Sequence, residues 1–146
     1  MSANDPKALT RHFFEEWNKG KAAALTVMDE FYSNDVVFHS GTGEDIRGLK
    51  DYKQHNSELF SAFPDAHFTI DDMIVEGNKR ATRFTMTGTH KGEFRGILPT
   101  NKKVTGRTIS FIRCNTEGKI VEEWHMYDTF GAMQQLGVVP KLGKGK

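Results

Sequence analysis

Gly118-Lys119-Ile120-Val121-Glu122-Glu123-Trp124-His125-Met126-Tyr127-Asp128 is the stretch from which the rest of the chain can be read. It opens on the turn signal Glu117-Gly118 and runs on through β-branched and aromatic residues, so it reads as a strand that ends at Asp128. Strand side chains alternate between two faces, which groups Asp128 with Ile120, Trp124 and Met126. A carboxylate set among Trp and Met is expected to lose water, and lost water strengthens it as a base. Asp128 is therefore the first candidate for proton transfer.

Three further strands precede this one, near residues 66 to 76, 80 to 92 and 103 to 115, separated by turn signals at Gly77-Asn78 and across Gly96 to Asn101. Connections of hairpin length predict antiparallel pairing. Upstream, Asp5-Pro6 reads as an N-cap and first helical residue, and Leu9, Phe13 and Trp17 recur at helical spacing until Gly20. A short helical stretch follows through Ala22, Ala23, Ala24 and Leu25, then a short strand Asp35-Val36-Val37-Phe38-His39 and the turn Ser40-Gly41-Thr42-Gly43. From Leu49 to Phe63 the helical period returns in Tyr52, Leu59 and Phe60, with Asn56 as a polar exception, until Pro64-Asp65 stops it. Thr129 to Leu136 reads as a last short helix closed by Gly137. The pattern predicts an α+β fold: one domain over residues 1–146, a curved antiparallel sheet with helices across its concave side, and a flexible basic tail at 141–146.

A chain of 146 residues can enclose one sizeable core. Its net charge of +1, with acids and bases interspersed, argues against a nucleic-acid partner. A single cysteine, Cys114, excludes an intramolecular disulfide and reads as a packing residue. With no long apolar run and no leader pattern, the expectation is a cytoplasmic protein that makes no membrane contact. The six histidines show no metal-ligand spacing, so no metal is expected.

Alternation also sorts the strand near 80 to 92, where Phe84, Met86, Gly88 and His90 form the inward row and Arg83, Thr85, Thr87 and Thr89 the outward one. Glu123, His125 and Tyr127 are assigned to the outward side, facing solvent or a second subunit, and a homodimer is expected. The expected pocket takes a small apolar or aromatic ligand, with Trp17, Phe84, Met86, Trp124 and Met126 as substrate-binding residues. Trp17 and Trp124 also fit ordinary core packing.

Phe63-Pro64-Asp65, Gly88-Thr89-His90-Lys91-Gly92 with Gly96, Gly118 to Trp124 with Asp128, and Gln134-Gln135-Leu136-Gly137 together resemble the SnoaL-like polyketide cyclases, or ester cyclases, of the NTF2-like superfamily. The resemblance spans nearly the whole chain. It implies an NTF2-like (cystatin-like) cone with a deep pocket, and an intramolecular aldol condensation closing a ring in an aromatic polyketide ester. In that chemistry the aspartate matching Asp128 is acid and base, and no metal or organic cofactor takes part. His90 and His39 are the candidates for a protonated partner that stabilises the oxyanion, although the short strand leaves the direction of His39 open. Where the family pattern has Pro-Pro-Thr-Gly, this chain has Leu98-Pro99-Thr100-Asn101, and Asn tolerates the positive φ that Gly would supply.

Asp128 also suits a helix N-cap, a role compatible with facing a cavity. The function classes left open are a cofactor-free cyclase, a non-catalytic binding protein, and another lyase, isomerase or hydrolase on the same scaffold.

Overall fold

The computed structural model describes residues 5–140; the tail expected to be flexible, 141–146, lies outside the described residues. Helix α1 (Pro6–Trp17) starts where the Asp5 carboxylate accepts the Lys7 N–H at 3.1 Å, with Pro6 in the first turn. Its Phe13 and Trp17 are buried, stacked with ring centroids 5.3 Å apart. Just past its end, the Asn18 side chain donates to Phe68 O and accepts from Phe68 N, both at 2.8 Å, which pins the helix to the sheet. Helix α2 (Lys21–Phe31) is longer than the four-residue stretch the sequence suggested, because Val27, Met28 and Phe31 continue the buried face. It runs directly into β1 (Tyr32–His39), which antiparallel β2 (Asp45–Arg47) joins across the turn after Ser40. Helix α3 (Leu49–Ala62) then leads to three long strands, β3 (His67–Glu76), β4 (Lys79–Thr89) and β5 (Lys103–Cys114). Strand β6 (Ile120–Tyr127) and helix α4 (Thr129–Leu136) complete the order, with Gly137 closing α4 at φ 82°.

The sheet runs β2-β1-β6-β5-β4-β3, curved and unclosed. The expected antiparallel pairing holds from β3 to β6 and between β1 and β2, but β1 lies parallel to β6, so the sheet is mixed. Strands so far apart in sequence pair through a long crossover, here most of the fold, and no local turn signal announces such a pair. The helices cover the concave face, and the aromatic core lies between α1, α3 and that face.

The decisive irregularity is in β6. Cys114 pairs with Ile120 and Arg113 with Glu122, so Val121 is an extra residue with no partner of its own. Such a bulge flips the alternation of every residue beyond it. Ile120 is buried, yet the next residues to point inward are Glu123, His125 and Tyr127, while Trp124 (36% exposed) and Met126 (65% exposed) lie on the convex face. The expected face assignment of β6 is thus reversed. On β4, without an interruption, Thr82, Phe84 and Met86 face inward as alternation requires. Asn101 takes φ 60°, as the altered turn demanded.

Candidate functional site

A cavity of about 690 Å³ opens between α1, α3, α4 and the concave sheet. Phe14, Trp17, Phe84 and Met86 form much of its apolar wall. The rows that cross its floor follow from strand register: Arg80, Ile112 and Glu123; then Thr82, Ser110 and His125; then Phe84, Thr108 and Tyr127.

Glu123, 4% exposed, organises the deepest part of this floor. Its Oε1 accepts the hydroxyls of Tyr32 at 2.6 Å and Tyr52 at 2.9 Å, and its Oε2 lies 2.7 Å from His125 Nε2. Burial pushes the Glu123 carboxyl up, but the neighbouring His125 charge and the hydrogen bonds from His125, Tyr32 and Tyr52 outweigh it and hold the group below its ordinary value. Burial first, and then the Glu123 charge, push both tyrosines well above the ordinary phenol value, so they remain neutral donors. An ionised carboxylate only accepts, so His125 must present N–H at Nε2. That leaves Nδ1 of this cavity-lining imidazole without a hydrogen-bond partner among the described residues. Edge-on packing against Phe38 and Phe84, with centroids at 4.9 and 5.9 Å, fixes the plane of the ring.

Asp128 sits at the rim. It follows the last residue of β6, where the chain leaves the strand, and it borders the cavity while exposed to solvent, so neither the expected loss of water nor the expected face shared with Trp124 and Met126 is found. Its Oδ1 accepts Gly131 N–H at 2.8 Å, so the capping role coexists with a place at the cavity. A Cβ on residue 131 would collide with the Asp128 carboxylate, which favours glycine there. Nearby, Arg95 donates to the Tyr127 hydroxyl at 3.2 Å, tying the loop after β4 across the mouth. His55 lines the same entrance, and burial, then the Arg95 charge, lower its pKa and favour neutral imidazole.

The structure therefore brings Asp128, Trp17, Phe84 and Met86 together around the cavity and leaves out four other expected residues. Trp124 and Met126 point away from it because of the Val121 bulge. His39 is turned to the convex face, where its ring nitrogens lie 2.8 Å from both Asp45 and Glu122 and its ring stacks on Trp124. His90 is fully buried outside the cavity lining; its Nδ1 accepts Thr100 N–H at 3.2 Å, and its ring packs on Phe63, so it anchors the loop instead of meeting a ligand. His125 and Glu123, which line the cavity where His39 and His90 do not, were visible only as the opposite parity of β6. The hydroxyl donors Tyr32 and Tyr52 carried no local signal at all, since they lie 91 and 71 residues from Glu123.

A family model described as SnoaL-like polyketide cyclase matches residues 7–136. Among solved structures, AclR of Streptomyces galilaeus, a candidate hydroxylase, is 27% identical, with a TM-score of 0.79 and 98% of this chain and 87% of that one covered. IdmH of Streptomyces antibioticus, a candidate polyketide cyclase, is also 27% identical, with a TM-score of 0.76 over 91% of this chain and 99% of that one. A candidate SnoaL-like polyketide cyclase from Jannaschia sp. CCS1, at 20% identity, superposes with a TM-score of 0.82 over 96% and 98% of the two chains, which shows the shared fold. No curated protein sequence matches the chain.

Proposed function

We propose, from the premise that this chain belongs to the SnoaL-like polyketide cyclase family, that it closes a ring in an aromatic polyketide-type substrate by an intramolecular aldol reaction. One observation carries the reading: a carboxylate and a carboxylate-held imidazole share a largely apolar cavity of about 690 Å³. In this scheme Asp128 takes the proton from an activated carbon flanked by carbonyls. The resulting enolate carbon bonds to a second carbonyl carbon of the same molecule, and that carbonyl oxygen becomes an alkoxide. His125, when protonated, donates from Nδ1 to this oxygen, while Glu123 at 2.7 Å balances the imidazolium charge. Asp128 returns its proton to solvent or to His125, and no atom beyond the substrate's own is consumed.

The test is a pair of variants assayed for both turnover and binding. Asp128→Asn is expected to lower turnover by about 10²- to 10⁴-fold, the usual worth of a positioned acid or base, while ligand affinity survives. Normal turnover in that variant would remove Asp128 from the mechanism. The likeness to AclR supports a second reading, hydroxylation, and product mass separates the two: a hydroxylated product gains one oxygen atom, whereas an aldol product does not. A non-catalytic binding protein would return its ligand unchanged. A homodimer is part of the same proposal, because Ile109, Phe111, Trp124 and Met126 expose adjacent apolar side chains on the convex face. Light scattering at the monomer mass would reject it.

A further inference from the structure

The cavity floor holds one charge that the proton-transfer scheme does not use. Arg80 lies in the cavity lining and is only 8% exposed. Its Nη1 donates to Thr10 Oγ1 at 3.0 Å and its Nη2 to Cys114 Sγ at 3.1 Å. A guanidinium has five N–H donors and no way to shed its charge, and among the described residues it meets no carboxylate. Glu123 does not supply one. It belongs to the same cross-strand row, two strands away, and its two oxygens are already engaged by Tyr32, Tyr52 and His125. A buried cation without a contacting anion is strongly unfavourable, which makes the open side of Arg80 a place where an anion gains more than it would in water.

The surroundings point the same way. Thr82, Ser110 and Thr108 line the cavity at 5%, 6% and 8% exposure, so their hydroxyls are available to a ligand there. Thr82 and Ser110 fill the row between Arg80 and Phe84, and Thr108 stands beside Phe84 in the next, so the three form a polar track through an otherwise aromatic wall. We propose that Arg80 is the seat of a ligand carboxylate, paired through guanidinium N–H groups, with Thr82 and Ser110 meeting oxygens farther along the ligand. The assignment rests on reading the cavity as the substrate site and deepens it: the substrate carries a free carboxylate, distinct from the ester group that the family resemblance implies, and enters carboxylate first. Glu123 and Asp128 are five residues apart on one chain, so the Arg80 row lies roughly 17 Å from the rim at about 3.3 Å per residue. A rigid ligand anchored at Arg80 therefore presents a fixed carbon to His125 and Asp128, and the carboxylate sets which carbon reacts.

Calorimetric titration with anthraquinone-2-carboxylic acid and with its methyl ester tests this without any need for turnover. The acid is expected to bind about tenfold or more tightly than the ester, as for a charged hydrogen bond made in a dry site. Arg80→Met should remove that preference while leaving ester affinity unchanged, and Arg80→Lys should keep part of it. Equal binding of acid and ester by the unaltered protein overturns the Arg80 assignment alone and decides the matter even if Arg80→Met fails to fold. A preference that survives in Arg80→Met also overturns it. Failure of both ligands to bind overturns the reading of the cavity as an aromatic site, and the Arg80 assignment with it.

Discussion

On the concave face of β6 His125 meets Glu123 at 2.7 Å, and on the convex face His39 meets Glu122 at 2.8 Å. The two pairs have nearly the same length and adjacent glutamates, yet their surroundings differ in every respect that matters. Glu123 is buried, takes two tyrosine hydroxyls and opens through His125 onto a cavity. Glu122 is partly exposed and shared with Arg113 at 3.1 Å, and His39 is divided between Glu122 and Asp45. The inner pair leaves one imidazole nitrogen free for chemistry; the outer pair uses both. Distance alone does not set what a histidine can offer a ligand. Burial of its partner and an unengaged nitrogen at the cavity do.

The contrast can be broken most forcefully at the glutamates. Glu123→Ala would strand two buried tyrosine hydroxyls and one imidazole, and is expected to cost about 3 to 5 kcal/mol of stability, against less than about 1 kcal/mol for Glu122→Ala. Urea unfolding of the two variants side by side decides it, and equal costs would mean that the inner cluster is not the structural centre described above. The acid limb carries the same signature. Because Glu123 is held below its ordinary value near 4.5, its contribution is present above that pH and is lost as pH falls through the folded-state value.

Turnover sharpens the contrast next. His125→Gln should lower it by about 10²- to 10⁴-fold, whereas His39→Gln should leave it within about twofold, since of the two only His125 reaches the cavity. A comparable loss in both variants would place the histidine effect in folding and not in catalysis. Gly131→Ala follows with a smaller effect. The new methyl group collides with the Asp128 carboxylate and must displace it, so turnover falls about tenfold while thermal stability changes little. Retained turnover would show that the rim carboxylate needs no fixed position.

The smallest effect belongs to the outer pair. Hydrogen bonding to Glu122 raises the His39 pKa above its ordinary value near 6.5. Its stabilisation is therefore complete below that pH and disappears as pH rises through the folded-state value. His39→Gln should accordingly lower the melting temperature slightly at pH 6 and leave it unchanged well above the folded-state value. The opposite trend would contradict the ion-pair assignment.

Local chemistry made much of this molecule legible in advance. Asp5-Pro6 started a helix, Pro64 followed one and Gly137 closed one because each acts through its own backbone geometry. On β4, unbroken alternation placed Phe84 and Met86 on the cavity side correctly. On β6 the same rule failed at Val121, since a bulge depends on what the neighbouring strand pairs with, and nothing in Ile120-Val121-Glu122 marks it. That one residue moved Trp124 and Met126 outside and brought Glu123, His125 and Tyr127 in.

The linear order of residues thus determined the elements, the family and a carboxylate at the end of a strand, because caps, turns and periodicity act over a few neighbouring residues. Only the assembled sheet decided which histidine faces the cavity, which arginine meets no carboxylate among the described residues, and that β1 runs parallel to β6. Those outcomes depend on register between strands far apart in the chain, and a shift of a single residue there exchanges the inside of the protein for its outside.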